Sequence, residues 1–200
     1  MKILGLTGDI AAGKSTVARL LQARGAALLD ADQGVHELYA QPDFAATIAG
    51  QFGDVLDASG VIDRTKLGTL VFSSPAKMVQ LEALVHPAVA TLRHQQLQRL
   101  RDHGERAVVV EAVKLLESGQ GHGCDEIWCV VAWHSVQMQR LMNERRMARD
   151  DAQRRLDAQP SPEAKRALAE RVPLHFLSNN GTLTQLEERV DALWMRFLNG

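Results

Sequence analysis

Cysteine is scarce in this 200-residue chain, which contains only Cys124 and Cys129. A single disulfide across so short a separation is disfavoured, and reduced thiols, as found in the cytosol, are the simpler expectation. Two cysteines also make a poor zinc site without suitably spaced partners. The sequence therefore predicts neither a disulfide framework nor a structural zinc centre.

An excess of charge of one sign is also missing, because the formal net charge is −1. General nucleic-acid binders and membrane-surface binders usually carry a strong basic excess. The balance therefore favours a small-molecule partner and predicts no nucleic-acid or membrane partner.

Long apolar runs are absent as well. No stretch approaches the roughly 18 apolar residues that a membrane-spanning helix requires. The opening MKILGLTGD contains an apolar run far too short for a signal-peptide core. We therefore expect a soluble, cytoplasmic protein.

The first thirty residues carry the pattern of a strand, a loop, a helix and a second strand. Lys2–Leu6 is predicted to be a short buried strand, and Lys14–Ala23 an amphipathic helix that ends before Gly25. The apolar stretch Ala26–Leu29 indicates another strand, ending at Asp30. This unit predicts an α/β fold with a parallel sheet.

The rest of the chain alternates between helical and buried-strand patterns without an internal repeat or a low-complexity linker. Apolar runs of the kind found in central parallel strands occur at Arg106–Glu111 and Ile127–Ala132. The other predicted segments are a helical region at 33–101, a helix at 163–171, a short apolar segment at 174–177 and a final helix at 184–198. One domain with inserted helical pieces fits this order best.

The turn after the first strand matches the pattern G-x-x-x-x-G-K-[ST] from Gly8 to Ser15. In such a P-loop, backbone N–H groups surround a phosphate, a lysine reaches the β- and γ-phosphates, and a hydroxyl binds Mg²⁺. Lys14 and Ser15 are the residues in those positions. The pattern is short enough to arise by chance, but its place between a strand and a helix favours nucleotide binding.

A kinase needs an acidic group near its acceptor hydroxyl, and Asp30 and Asp32 follow the second predicted strand. One carboxylate could accept or orient the acceptor's proton and the other could hold Mg²⁺ through water, although an acidic N-cap is the alternative. The arginine-rich stretch 134–159 could be a mobile lid or a solvated helix face. A guanine-reading Asn-Lys-x-Asp segment is missing, which disfavours a GTPase.

Several ordered segments together resemble the dephospho-CoA kinase family over nearly the whole chain. They are LTGDIAAGKSTVARLL, LLDADQGVHELY, LVHPAV, VVVEAVKLLESG, QRLMNERRM with RRLDAQ, and SNNGT. The resemblance implies transfer of the ATP γ-phosphate to the 3′-hydroxyl of dephospho-CoA, with Mg²⁺. It also implies a P-loop fold with a five-stranded parallel sheet flanked by helices, a helical CoA-binding part and a small lid.

In this chain the resemblance places the core at about 1–32, 105–133 and 171–200, the CoA-binding part at about 33–104 and the lid at about 134–170. The predicted catalytic residues are Asp32, Lys14 and Arg140. The predicted nucleotide-binding residues are Gly8, Asp9, Ala11, Ala12, Gly13, Lys14, Ser15, Thr16 and Asn180, with Ser15 also at the metal. The predicted substrate-binding residues are Asp32, His36, His86, Glu111 and Lys114.

Some residues depart from the family's usual pattern. The family loop is commonly Gly-Gly-Ile-Gly-Ser-Gly, and here Asp9, Ala11 and Ala12 replace small or flexible residues. Alanine is expected to be tolerated if φ stays negative, and Asp9 is expected to face solvent or pair with a lid arginine. Glu144 stands where an arginine is common, with Arg145 beside it.

Lys114 stands at a usually apolar position and could pair with a neighbouring glutamate or reach the active site. Two other functions stay open at this stage: a P-loop kinase for another small acceptor, and a nucleotide-binding module without catalysis. A monomer or a small homo-oligomer is expected.

Overall fold

The structure is a computed structural model that describes residues 1–200 with the exception of the Asp32 side chain. The predicted role of Asp32 therefore lies outside the described residues. The chain divides into two compact units, Met1–Asp30 with Leu100–Gly200 and, separately, Ala31–Arg99. Within the described part of the chain, every helix is too short or too polar to cross a membrane.

The first unit is built on a parallel sheet, which over the described residues has five strands in the order β2-β3-β1-β4-β5. These strands are β1 (Lys2–Gly8), β2 (Ala27–Asp30), β3 (Ala107–Glu111), β4 (Glu126–Val131) and β5 (Leu174–Ser178). Every residue of β3 is buried, as the uninterrupted apolar run predicted for a central parallel strand. The predicted five-stranded parallel sheet is confirmed.

Helices flank the sheet in the first unit and form most of the second unit. They are α1 (Lys14–Ala23), α2 (Ala31–Tyr39), α3 (Pro42–Phe52), α4 (Arg64–Phe72), α5 (Pro75–Asp102), α6 (His134–Asn143), α7 (Arg149–Asp157), α8 (Pro162–Ala169) and α9 (Leu183–Asn199). The bounds of α1 match the sequence prediction, and Gly25, with φ +84°, follows its last turn.

The core of the first unit lies between the sheet and the apolar faces of α1 and α9. Val17 and Leu21 of α1 are fully buried there. Trp194 of α9 meets Trp128 of β4 edge to face, with ring centroids 6.5 Å apart. This packing fixes α1, and therefore the loop that leads into it, against the sheet.

Helices α6 and α7 share a small apolar cluster around Leu141, Ala152 and Leu156. Ile10 and Ala11 of the glycine-rich loop pack against the same cluster. The arginine-rich segment is therefore in apolar contact with the loop.

The second unit has its own core, formed around Ile48, Val55 and Leu67. The Asp63 side chain caps α4 by accepting hydrogen bonds from two backbone N–H groups of its first turn. Within the predicted helical region, Pro75–Asp102 forms one long helix that continues through Pro87. That proline removes one backbone donor from a ladder of 28 residues, and the remaining bonds keep the helix continuous.

Candidate active site

The loop from Gly8 to Ser15 connects the carboxyl end of β1 to the first turn of α1. The Asp9 N–H donates to the Val130 carbonyl at 2.9 Å, and the Ala12 N–H donates to the Asp9 carbonyl at 3.0 Å. The loop is thus pinned to the neighbouring strand β4 and turns tightly on itself.

Neither Gly8 nor Gly13 of the loop can carry a side chain, because atoms of other segments lie too close. A Cβ on Gly8 would lie 2.9 Å from the carbonyl oxygen of Val130. A Cβ on Gly13 would collide with the side-chain amide of Asn179, and Gly13 also has φ +99°, which side chains rarely adopt. These positions explain the two glycines that the motif fixes.

Tolerance of the loop alanines was expected only for negative φ, and Ala11 does not meet this condition, because its φ is +56°. This left-handed conformation costs an L-residue with a Cβ about 1–2 kcal/mol. Ala12 is not among the described non-glycine residues with positive φ, and it is fully buried. The two adjacent alanines therefore differ in both backbone conformation and burial.

The first turn of α1 presents backbone N–H groups that have no partner within the helix. Gly13 is its N-cap and has no side chain with which to cap them. Lys14 and Ser15 occupy this turn, and the Lys14 ammonium donates to the Glu111 carboxylate at the end of β3. Such an uncapped helix start, with a lysine beside it, is suited to binding an anion.

A pocket of about 740 Å³ opens over this turn, and all its lining residues belong to the first unit. Gly8, Asp9, Ala11, Gly13, Lys14, Ser15 and Thr16 line it from the loop side. Among the described lining residues, basic side chains outnumber acidic ones by two. The basic ones are Lys14, Lys114, Arg140, Arg145 and Lys165, and the acidic ones are Asp9, Glu117 and Glu144.

Two glutamines hold the backbone of Ile10 at the centre of the loop. The Gln159 side-chain oxygen accepts from the Ile10 N–H at 2.6 Å. The Gln137 side-chain amide, on α6, donates to the Ile10 carbonyl at 2.8 Å, and Gln137 is buried. Both contacts join the predicted lid segment to the phosphate loop.

Arg140 lies against the same loop. Its guanidinium donates to the Ala11 carbonyl at 3.0 Å and to the Asn179 carbonyl at 3.2 Å. The Asn179 side chain in turn donates to the Ala12 carbonyl at 2.7 Å. Arg140, predicted from sequence, is therefore held at the pocket by backbone acceptors of two separate segments.

Asp9 pairs with Lys165 of α8 and not with an arginine, which corrects the sequence expectation. Lys165 is buried and Asp9 is partly buried, so their charges compensate each other inside the pocket wall. Lys165 was not among the predicted site residues. The available signal was its position four residues before Ala169, which places both on the buried face of α8.

Asn179, rather than the predicted Asn180, lies against the loop and lines the pocket. The Asn180 side-chain oxygen accepts from the Trp133 N–H at 2.6 Å, and its amide donates to the Ser178 hydroxyl at 2.8 Å. Burial alternates here, because Leu177 and Asn179 are buried and the residue after each is not. The period-two pattern of a strand, continued from the apolar Leu177, would have predicted that Asn179 faces inward and Asn180 does not.

Two carboxylates lie side by side where adjacent strands end, because Asp30 of β2 is in register with Glu111 of β3. Asp30 is exposed, whereas Glu111 is buried and bonded to Lys14. Lys114 is exposed on the pocket wall, so its charge is not buried in a pair with Glu111.

Three predicted substrate residues belong to the second unit. His36, on α2, is exposed and hydrogen-bonds with Arg64 of α4. His86 is exposed on α5, directly before Pro87. The roles of His36, His86 and Asp32 stay predictions.

The two cysteines are buried. Cys129 lines the inner end of the pocket, and burial, partly opposed by the nearby Lys165, raises the pKa of its thiol to about 12. A thiol with so high a pKa stays protonated and unreactive at neutral pH.

Comparison with known proteins identifies the family. The family model for dephospho-CoA kinase matches residues 2–185. A dephospho-CoA kinase from Geobacter sulfurreducens is 38% identical over 199 residues, which cover 98% of each chain. A solved structure of a Thermus thermophilus protein is 32% identical, has a TM-score of 0.78 and covers 98% of this chain and 97% of its own.

The solved dephospho-CoA kinase from Campylobacter jejuni shares the fold, with a TM-score of 0.70 at 24% identity, over 100% of this chain and 99% of its own. The family model and the Geobacter relative each extend over nearly the whole chain, which confirms the resemblance noted from its motifs. This chain belongs to the dephospho-CoA kinase family.

Proposed function

We propose that this protein transfers the γ-phosphoryl group of ATP to the 3′-hydroxyl of dephospho-CoA, giving CoA, the last step of coenzyme A biosynthesis. The observation that carries the proposal is the convergence of the uncapped α1 turn, Lys14 and Arg140 on one pocket. The names of the relatives supply the acceptor.

In this reaction the acceptor oxygen forms a bond to the γ-phosphorus while the bond from that phosphorus to the β,γ-bridging oxygen breaks. Negative charge is spread over the transferred group and the leaving ADP, so catalysis is mainly positioning and charge stabilisation. The α1 amides and Lys14 would bind the β- and γ-phosphates. A guanidinium has five N–H donors, and the two bonds of Arg140 to carbonyls leave donors for a phosphate oxygen.

When ATP binds, Lys14 would lose part of its contact with Glu111 and bind the nucleotide's phosphates instead. Without ATP, the glutamate keeps the ammonium paired in a pocket that excludes much of the solvent. Once a polyphosphate enters, the more negative partner is the nucleotide. Glu111 thus holds Lys14 close to the position in which it is needed.

Mg²⁺ fits the residues at this site. It prefers hard oxygen ligands, keeps several waters and is usually held by few protein groups together with substrate phosphates. The Ser15 hydroxyl on the pocket wall and the Glu111 carboxylate bonded to Lys14 are such oxygens, and the described residues contain no cluster of three or more metal-binding side chains. When bound, the ion would supply charge neutralisation to the phosphates.

The acceptor's proton must go to a base, and the family resemblance assigns this role to Asp32. Asp30, at the sheet edge beside Glu111, is the alternative within the first unit. Separate Asp30→Asn and Asp32→Asn variants distinguish the two, because loss of the base lowers kcat by about 10²-fold or more. The other carboxylate's variant should retain most of the rate.

The same proposal assigns parts of the chain to tasks. Residues 33–104 would bind the CoA portion, with His36 and His86 as candidate contacts, and 134–170 would act as the lid. Lys114, in the first unit, is a further candidate substrate contact. Asn180 and Thr16 remain candidate nucleotide contacts. We further expect a cytoplasmic monomer or small homo-oligomer without nucleic-acid or membrane partners.

The test is steady-state kinetics of the purified protein with Mg-ATP, comparing dephospho-CoA with a panel of nucleosides and nucleoside monophosphates. We expect dephospho-CoA to be consumed with one ADP formed per CoA. Lys14→Ala should lower kcat/KM at least about a hundredfold, because it removes a charge facing the transferred phosphate. Consumption of another acceptor, with dephospho-CoA unused, would refute the proposed substrate, and tight ATP binding without any product would indicate a non-catalytic module.

A further inference from the structure

The ion pair between Asp9 and Lys165 has no part in the chemistry proposed so far. Asp9 is the second residue of the phosphate loop, and Lys165 reaches it from α8. Their side chains are only 15% and 9% exposed, and both line the nucleotide pocket. Each charge is therefore shielded from water and depends on its partner.

A carboxylate in a phosphate loop poses an electrostatic problem. The loop binds phosphates because its amides and its lysine present positive potential. A negative charge at Asp9, in a pocket where solvent screening is weak, would repel the same phosphates. Removing Lys165 halves the excess of basic over acidic side chains on the described pocket wall, from two to one.

The other loop contacts differ from this one in kind. Gln159 and Gln137 bind the Ile10 backbone as neutral groups, and they fix shape without changing the charge. Lys165, in contrast, brings a charge to the loop through a side chain whose ammonium is already engaged by Asp9.

We propose that Lys165 is a positioning residue for the nucleotide: by neutralising Asp9 it allows a loop with an acidic second residue to bind a polyphosphate. The inference rests on the proposed function, since the ligand it concerns is ATP. Lys165 acts through Asp9 and not by direct contact with the transferred group. The two members of the pair consequently have opposite effects on ATP affinity.

The experiment measures Kd for ATP, ADP and AMP by titration calorimetry in the absence of acceptor, on the full chain. Lys165→Met should weaken ATP binding about tenfold or more, with a smaller effect on ADP and the smallest on AMP, because the repulsion grows with phosphate charge. Asp9→Asn should bind ATP at least as tightly as the wild type. In the double variant, Asp9→Asn should restore most of the affinity that Lys165→Met loses.

A purely structural ion pair predicts a different pattern. Removing either partner would then lower the melting temperature and weaken the binding of all three nucleotides alike. Asp9→Asn would lower the affinities as much as Lys165→Met. Lys165→Arg, which keeps the charge, should retain ATP affinity. If Lys165→Met does not fold, the sign of the Asp9→Asn effect decides alone, and a tenfold loss of ATP affinity there would overturn the proposal.

A matched control is available in the second unit. Lys66 and Asp54 form a Lys–Asp pair with side chains 43% and 88% exposed. Lys66→Met removes the same charge by the same substitution and should leave all three nucleotide affinities unchanged. An equal loss of ATP affinity in Lys66→Met and Lys165→Met would overturn the proposal, because it would show that the protein's net charge alone causes the loss.

Failure of the proposed function can be told apart from failure of this inference. A wild type that binds ATP but does not phosphorylate dephospho-CoA refutes the acceptor and leaves the ATP titrations decisive. A wild type that does not bind ATP refutes both.

Discussion

The two adjacent alanines of the phosphate loop give a stability prediction with an internal control. Ala11 and Ala12 differ in backbone conformation and burial, although both stand in the same turn. Replacing each by glycine makes the same chemical change. We expect the two variants to differ in their free energies of unfolding by about 2 kcal/mol.

Ala12→Gly should destabilise the protein by about 1.5 kcal/mol. Ala12 is 0% exposed, so loss of its methyl group costs about 0.8 kcal/mol of burial. The added flexibility of glycine in the unfolded chain costs a further 0.5–1 kcal/mol or so.

Ala11→Gly should leave the protein unchanged or stabilise it by up to about 1 kcal/mol. At φ +56° the alanine stores roughly 1–2 kcal/mol of strain that glycine does not have. The same unfolded-state entropy of about 0.5–1 kcal/mol opposes this gain. The half-buried methyl group makes a smaller contribution than that of Ala12.

The assay is urea unfolding of both variants and the wild type without nucleotide, followed by circular dichroism. With equal m-values, the difference in midpoints gives the difference in stability directly. Thermal scans should separate the variants by about 5 °C, since about 1 kcal/mol shifts Tm by some 2–4 °C at this chain length. If Ala11→Gly destabilises the protein as much as Ala12→Gly, the strain assigned to Ala11 is refuted.

Three further outcomes follow from the same packing. Gly13→Ala should lower ATP affinity at least about tenfold with an unchanged circular dichroism spectrum, because its methyl group displaces the Asn179 amide from the loop; calorimetry with retained affinity would contradict this. Trp194→Ala should cost about 3–5 kcal/mol in urea unfolding, since it removes a buried ring packed on Trp128, and a loss below 1 kcal/mol would be inconsistent with that packing. Folding favours the protonated Cys129 thiol, because its pKa is raised to about 12 in the folded protein. Its contribution to stability should therefore be complete below about pH 9 and should decline as the pH rises towards 12. The unfolding free energy of Cys129→Ala, compared with that of the wild type between pH 8 and 10.5, should lack this decline.

The fold could be predicted from sequence because each of its signals is local. The α1 helix shows its apolar face, its glycine start and its glycine stop within a dozen residues. The β3 strand is an uninterrupted apolar run because both its faces are covered. The order of motifs then indicated the family, which the comparisons confirm.

The contacts between loop and lid could not be predicted, because they depend on which of several similar side chains reaches a given carbonyl. An arginine partner for Asp9 was the natural expectation in an arginine-rich segment, yet the buried face of α8 carries Lys165. The sequence also did not predict the positive φ of Ala11, which stands just before Ala12 in the tight turn closed by the Ala12 to Asp9 hydrogen bond. Such details follow from three-dimensional packing and not from residue type.

The loop near the start of the chain is completed by residues that lie far along it, and this has a consequence for folding during synthesis. Ile10 and Gln159 are 149 positions apart, and Ala12 and Asn179 are 167 apart. The formation of contacts between residues so far apart in sequence slows folding, because most of the chain must be ordered before these contacts form. On the ribosome, residues 8–15 would emerge first and yet acquire their nucleotide-binding shape among the last, only after β5 has left the exit tunnel.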